Sequence, residues 1–229
     1  MTAKDRLIKC FEKVNPLAAA RRKKMRARLK NSNISFLAPN CIGGILFHDL
    51  NLKFMSPTVN LMMTQPDFVK LVLDLEYYKE KDLVFFKHPE YTCPCARLGD
   101  ITVHFTHYAT AEEAEKKWHE RFDRLNKDNI FIFLEERDGL TKDEMLAIGE
   151  LNVKGIVVFT ANEYPDIPYA LYLPKYHDDG EVGNILSRKY LDDSREYEQY
   201  FDFVKWFNEA NGKDYEIKPF VKCFQILTL

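Results

Sequence analysis

The order of apolar patterns in this chain predicts an α/β fold: a three-layer α/β/α sandwich around a mostly parallel or mixed central sheet. Three observations carry that expectation. Two uninterrupted apolar runs of strand length, residues 129–134 and 155–160, read as strands covered on both faces. Two Thr-x-x-Glu sequences, Thr110 to Glu113 and Thr141 to Glu144, are capping boxes, and each opens a helical pattern ahead of one of those runs. The third is residues 34–44, where an apolar run halts at a cysteine and two glycines open a helix, the pattern of a strand, a tight turn and a helix N-terminus.

The remaining elements follow in order. Leu7, Ile8, Phe11 and Val14 sit at helical spacing, and Asn15-Pro16 is a cap followed by the residue best tolerated at a first helical position, so a second helix is expected over 16–29. Pro57 restricts Ser56 to extended geometry in a loop where Ser56 and Thr58 present hydroxyls. Thr64, Pro66 and Asp67 start a helix reaching Tyr78, and residues 83–86 read as a buried strand. Residues 101–108, rich in β-branched and aromatic side chains, form another strand, on which His104 and His107 point to opposite faces. His107 then lies at a strand's C-terminal end, where ligands bind in open α/β sheets, with His104 deeper. The helix after Thr110 buries Ala114, Trp118 and Phe122 and leaves Arg121 and Arg124 off that face for surface ion pairs. A strand at 169–173, a polar loop over 174–188, a last helix over 193–210 and an edge strand in the tail, limited by Pro219, complete the chain.

With 229 residues, 46% of them hydrophobic and 30% charged, the composition is that of an ordinary globular protein, and 14% aromatics exclude disorder or a fibrous repeat. The expected organisation is a basic helical segment over 1–30 and a single α/β domain over 31–229. No apolar run approaches the roughly 20 residues of a membrane-spanning helix. Five cysteines and no apolar leader point to a reducing compartment, the cytoplasm. The net charge of −2 divides into about +9 over residues 4–30 and about −11 elsewhere. That asymmetry suits an anionic membrane surface, or docking of the segment on the protein's own acidic face. Nucleic acid is not an expected partner, because no base-stacking or groove-reading motif follows the basic run. Cys93-Pro94-Cys95 has one intervening residue where zinc sites have two to four, so no metal is expected, and no cofactor or oligomeric state is indicated.

Cys41, His107 and Asp138 each follow a predicted strand, and on parallel strands they would emerge at one sheet edge. These are the parts of an activated thiol: an imidazole takes the proton, a carboxylate orients the imidazole, and helix N–H groups stabilise an oxyanion. The helix start is expected to lower the Cys41 thiol pKa, and His104 is the reserve base. Asn40, Gly43, Gly44, Ser56, Thr58 and Arg137 are the expected substrate contacts. The same turn admits a second reading, in which Gly43 and Gly44 let backbone approach a pyrophosphate and Arg137 or Asp138 contacts a nucleotide-sugar. Neither GxGxxG nor GxxxxGK[ST] is present. A third reading is a non-catalytic glycan or carrier binding module.

Several ordered motifs occur together: Asn40-Cys41-x-Gly43-Gly44, Ser56-Pro57-Thr58-Val59, and Leu98-Gly99-Asp100-Ile101-x-x-His104-Phe105-x-His107-Tyr108. They are followed by Glu113-Ala114-x-x-Lys117-Trp118, Arg121, Arg124, Asn126, Arg137-Asp138-Gly139 and Phe159-Thr160. This set resembles a bacterial domain-of-unknown-function family, numbered nineteen-nineteen, that is found in exopolysaccharide and capsule loci. The resemblance covers roughly residues 30–210. It implies a role in surface-polysaccharide biosynthesis, with a glycan precursor and an acyl or nucleotide-sugar donor as partners, at or near the inner membrane. Two positions depart from the family pattern: Ile42, where the family commonly has Trp, and the cysteines at 93 and 95. More remotely, the turn is similar to that of papain-like thiol enzymes that include acyl-transfer proteins. This ranks Cys41-dependent acyl transfer first and glycosyl transfer second.

Overall fold

The computed structural model describes residues 15–212, Tyr215 and Ile217. The helix expected over 2–14 and the edge strand of the tail lie outside the described residues. The strands are β1 (Ser35–Leu37), β2 (Leu83–Phe86), β3 (Cys95–Leu98), β4 (Ile101–His104), β5 (Ile130–Glu135), β6 (Gly155–Thr160) and β7 (Ala170–Tyr172). The helices are α1 (Pro16–Arg28), α2 (Ile42–Leu50), α3 (Gln65–Leu73), α4 (Leu75–Lys79), α5 (Ala111–Phe122), α6 (Lys142–Gly149) and α7 (Phe203–Glu209). A parallel sheet of order β1-β5-β6-β7 is flanked by helices, and β2, β3 and β4 form a separate antiparallel sheet. The α/β sandwich expected from the sequence is the observed class.

Every residue of β5 and β6 is buried, as continuous apolar runs require. On one face of the sheet Phe36, Phe131, Phe133 and Phe159 meet Phe203, Trp206 and Phe207 of α7, mostly edge to face. Such ring pairs contribute about 0.5–1.5 kcal/mol each beyond the area they bury. Gly155 permits the closest approach, because a Cβ there would lie 2.9 Å from both Phe131 and Trp206. At the sheet's first edge, α2 follows β1 directly and sends Phe47 toward Phe36.

Three expectations are corrected. The strand over 101–108 ends at His104, where Thr106 N–H reaches back to the His104 carbonyl and turns the chain. It lies in the antiparallel sheet, so its end is not part of the parallel edge. Its partner β3 was not read as a strand, since Cys-Ala-Arg-Leu lacks β-branched residues; the Gly99-Asp100 turn, with Gly99 at φ +62°, marks the hairpin. The helix over 193–210 shortens to α7 and a 3₁₀ turn at Glu196–Gln199. There the Glu196 carboxylate is held by Lys175, Lys189 and the Tyr176 hydroxyl, and Asp202 caps a new helix start at Lys205 N–H.

Helix α1 forms as its Asn15 cap predicts, the side chain accepting from Leu17 and Ala18 N–H. Its arginines turn inward. Arg21 bridges Asp49 and Glu198, Arg22 lies between Asp49 and Asp193, Arg26 donates to the Asp49 carbonyl at 2.7 Å, and Arg28 pairs with Asp202. The Arg21 and Asp49 side chains are only 9% and 6% exposed, which places this pair among buried ones and not solvated surface pairs. These four arginines of the described part of the basic segment are thus engaged by the protein's own chain, chiefly its acids. Among the described residues no helix is long and apolar enough to cross a membrane.

Candidate active site

Cys41 occupies the N-cap position of α2, four residues beyond β1, and no side chain caps the helix there. Asn40 shapes the turn by accepting from Ile42 N–H at 3.0 Å through Oδ1. The Cys41 thiol is half-buried, with Sγ 3.4 Å from Nε2 of the exposed His107 and 3.7 Å from the Thr106 hydroxyl. His107 arrives on the turn that follows β4, a turn tied down by its neighbours: Tyr108 donates its hydroxyl to the Val59 carbonyl at 3.1 Å. Arg121 reaches the same carbonyl at 2.7 Å and also the Tyr108 hydroxyl, while its guanidinium lies 5.2 Å from the Phe54 ring centroid. Arg121 is thus 6% exposed, not a surface ion-pair former as its place in the helix pattern suggested.

The thiol and imidazole open into a cleft of about 540 Å³ whose wall carries His48, Asn60, Arg22, Arg188 and Arg195. Burial pushes the Cys41 thiol above its ordinary value, and the Thr106 hydrogen bond offsets only part of this. The helix start therefore does not hold a resting thiolate, contrary to the expectation of a lowered pKa. A thiol raised in this way needs a base to become nucleophilic, and the His107 imidazole is within reach. Of the glycines behind the thiol only Gly44 is required by packing: a Cβ on Gly43 would make ordinary contact with the Phe36 ring at 3.6 Å, whereas one on Gly44 would meet the Asn60 side chain at 2.2 Å.

Asp138 does not stand behind His107. It is exposed, adopts φ +53°, pairs with Arg137 at 3.6 Å and lines a different cleft, together with Asn40, His104 and the buried Glu135. Three residues past β5, Asp138 belongs to that second cleft and not to the one that holds the thiol and His107. His104 is not a reserve base either, since its Nδ1 lies 3.2 Å from Cys95 Sγ in the antiparallel sheet. That second thiol is fully buried, pushed up to about 11 chiefly by burial, and has no access to either cleft. Ser56 and Thr58 are also enclosed. Their hydroxyls lie 3.0 Å apart, and Thr58 accepts from Ala38 N–H at 3.1 Å, so they pin the loop to the end of β1 and contact no cleft.

Sequence reasoning missed the acid that the fold places nearest the turn. Glu135, the last residue of β5, is 1% exposed and accepts from Asn40 Nδ2 at 2.5 Å, while Gln65 accepts its backbone N–H. Its signal was simply its position as the first charged residue after an apolar strand. The cleft arginines come from elements distant in sequence, so no local pattern announced them.

A protein of Haemophilus influenzae (strain ATCC 51907 / DSM 11121 / KW20 / Rd), described as an uncharacterized protein, is 34% identical over 186 residues, covering 81% of this chain and 89% of the relative. The family model described as "Domain of unknown function (DUF1919)" matches residues 13–208, a span that contains the residues lining both clefts, and the chain belongs to that family.

Proposed function

We propose that this protein is a thiol-dependent acyltransferase acting on a glycan or glycan precursor in bacterial surface-polysaccharide biosynthesis. One observation carries the reading: Cys41 Sγ lies 3.4 Å from His107 Nε2 at the mouth of an open cleft. In the first half-reaction Sγ attacks the donor's acyl carbonyl carbon, and its proton passes to His107 Nε2. The donor's bond to the acyl group breaks, and the leaving group takes that proton. In the second, an acceptor hydroxyl attacks the thioester, gives its proton to His107, and releases Cys41 as the thiol. First-turn N–H groups of α2 beyond Ile42, whose own N–H is held by Asn40, are the donors available to a tetrahedral oxyanion.

Mass spectrometry of native protein incubated with acetyl and succinyl thioesters tests this. The expected result is a single acyl adduct on Cys41, absent in Cys41→Ala and formed about 10²–10⁴-fold more slowly in His107→Ala. No adduct with any thioester, or adducts spread over Cys93 and Cys41 alike, would sink it.

The arginines favour a second reading, glycosyl transfer from a nucleotide-sugar. Arg22, Arg188 and Arg195 line the cleft, and although Asp49 and Asp193 pair with the first two, three guanidiniums against two carboxylates leave a net positive lining that a diphosphate could use. Thermal shift with nucleotide-sugars separates the two, because a donor that binds the native state raises the melting temperature.

A further inference from the structure

On the other side of the Asn40-Cys41 turn lies a cleft of about 240 Å³ whose groups the thiol chemistry does not use. Its inner wall is Glu135, buried to 1%, and among the described residues the carboxyl has a single hydrogen-bond partner, Asn40 Nδ2. Gln65, Thr64, the Arg137–Asp138 pair and Tyr91 also line the cleft, the Tyr91 ring resting against His104 at 4.6 Å and His88 at 4.7 Å between centroids while staying 38% exposed.

We propose that this second cleft binds one neutral sugar ring, the acceptor, with the Glu135 carboxyl and the Arg137–Asp138 pair taking its hydroxyls and Tyr91 covering an apolar ring face. The role as acceptor site rests on the transferase reading, whereas the binding does not. Three features select this ligand class. A carboxyl, an amide, a hydroxyl and a paired cation and anion supply both donors and acceptors, as a polyol needs. Arg137 is the only cation on the lining and Asp138 neutralises it, so a phosphate or carboxylate ligand would meet two carboxyl groups with no net positive charge. The volume lies below the ~300–1,000 Å³ of sites for drug-sized ligands, which suits one ring and not an oligomer.

Glu135 can donate as well as accept. Burial pushes it up to about 8, against the opposing pull of Arg137 and Asn40, with Asp138 adding to the rise. The other titratable groups facing it are His104 across the cleft and the Tyr176 hydroxyl. Asn40 carries its state to the other cleft, since the same side chain that contacts Glu135 also holds Ile42 N–H beside the thiol.

Amide NMR titration of the Cys41→Ala protein with methyl α-glucoside, methyl α-galactoside and N-acetylglucosamine, with inorganic phosphate as the anionic control, tests the site. At least one sugar is expected to bind with a dissociation constant on the order of 1 mM, shifting the Gln65, Tyr91 and Asp138 amides. Tyr91→Ala and Asp138→Asn, both exposed positions, should each weaken that binding about tenfold, a loss of ~1.4 kcal/mol. Wild-type affinity should fall as pH rises through about 8, while Glu135→Gln, which keeps a donor, holds its affinity across that range. Absence of shifts with all three sugars, affinity indifferent to Tyr91→Ala and Asp138→Asn, or tighter binding of phosphate would overturn the proposal. Sugar binding with no acyl adduct on Cys41 would retain the site and remove the transferase reading. An adduct without sugar binding would do the reverse.

Discussion

Asn40 and Glu135 are joined by a 2.5 Å hydrogen bond from the amide to the carboxyl, which links the ends of two adjacent parallel strands directly behind the Cys41 turn. Asn40 also fixes Ile42 N–H at 3.0 Å, so the buried acid and the thiol turn share one side chain. A burial site that holds an acid protonated must affect stability as well as chemistry.

The first prediction concerns that linkage. Burial raises Glu135 to about 8 in the folded state, and an unfolded glutamate titrates near ~4.3. Between those values the folded protein holds a proton that the unfolded chain has released, so this group's contribution to stability falls as pH rises and levels off above about 8. The slope for one proton is roughly 1.4 kcal/mol per pH unit. Glu135→Gln cannot ionise, so its stability relative to wild type should climb across that window and be flat on either side. Urea denaturation of both proteins from pH 5 to pH 9 checks this; parallel curves would show that Glu135 is ionised in the native state.

His107 should govern the reactivity of Cys41 toward iodoacetamide. Since burial pushes the thiol up, a lone Cys41 would react only as pH rises above its ordinary range. With an imidazole at 3.4 Å to accept the thiol proton, an added limb of reactivity is expected at lower pH. His107→Ala should abolish that limb and slow alkylation at pH 7 by about 10²-fold. Identical profiles for the two proteins would make Cys41 a bystander.

The two glycines of the turn should respond differently to alanine. A Cβ on Gly43 makes ordinary contact with Phe36 at 3.6 Å, and removing a helical glycine gains about 0.5–1 kcal/mol, so Gly43→Ala should be neutral or mildly stabilising. On Gly44 the Cβ meets the tip of the Asn60 side chain at 2.2 Å, which must swing into the thiol cleft. Gly44→Ala should therefore fold, yet block access of bulky alkylating reagents to Cys41 while small ones still react. Equal reactivity of both variants toward both reagents would refute the assignment.

Much of this arrangement could be read from the residues. Continuous apolar runs identified β5 and β6 because full burial leaves no polar side, and Thr141-x-x-Glu144 formed the complete capping box. Thr110 also caps its helix, but Glu113 turns to Ala109 N–H. His107 was placed beside Cys41 for an incorrect reason, a shared parallel edge, when a turn from the antiparallel sheet delivers it. Sheet membership depends on pairings distant in sequence, and no local pattern encodes it. For the same reason the pattern puts Asp138 beside His107 when it lines the other cleft, and little in the local sequence marks Glu135 as buried at its strand end.

Arg121 separates positioning from stability, and its substitution should show it. No carboxylate forms an ion pair with it among the described residues, so its buried charge is held only by the Val59 carbonyl, the Tyr108 hydroxyl and the rings of Phe54 and Tyr108. Burying a charge without a counter-ion is costly, and replacing it with an apolar side chain of similar length is commonly neutral or favourable. Tyr108 would still donate to Val59 in Arg121→Met, leaving no polar group orphaned. The melting temperature should therefore change little. The turn that carries His107 would lose its tie through Tyr108 to α5 and keep only the one from Ala109 N–H to Glu113, so the imidazole-dependent limb of Cys41 alkylation should weaken about tenfold, a loss of ~1.4 kcal/mol in positioning. Arg121→Lys should behave worse on stability, because an ammonium keeps the buried charge but cannot donate to two acceptors in the guanidinium's planar geometry. A large drop in melting temperature for Arg121→Met with the alkylation profile intact would show that Arg121 only supports the core.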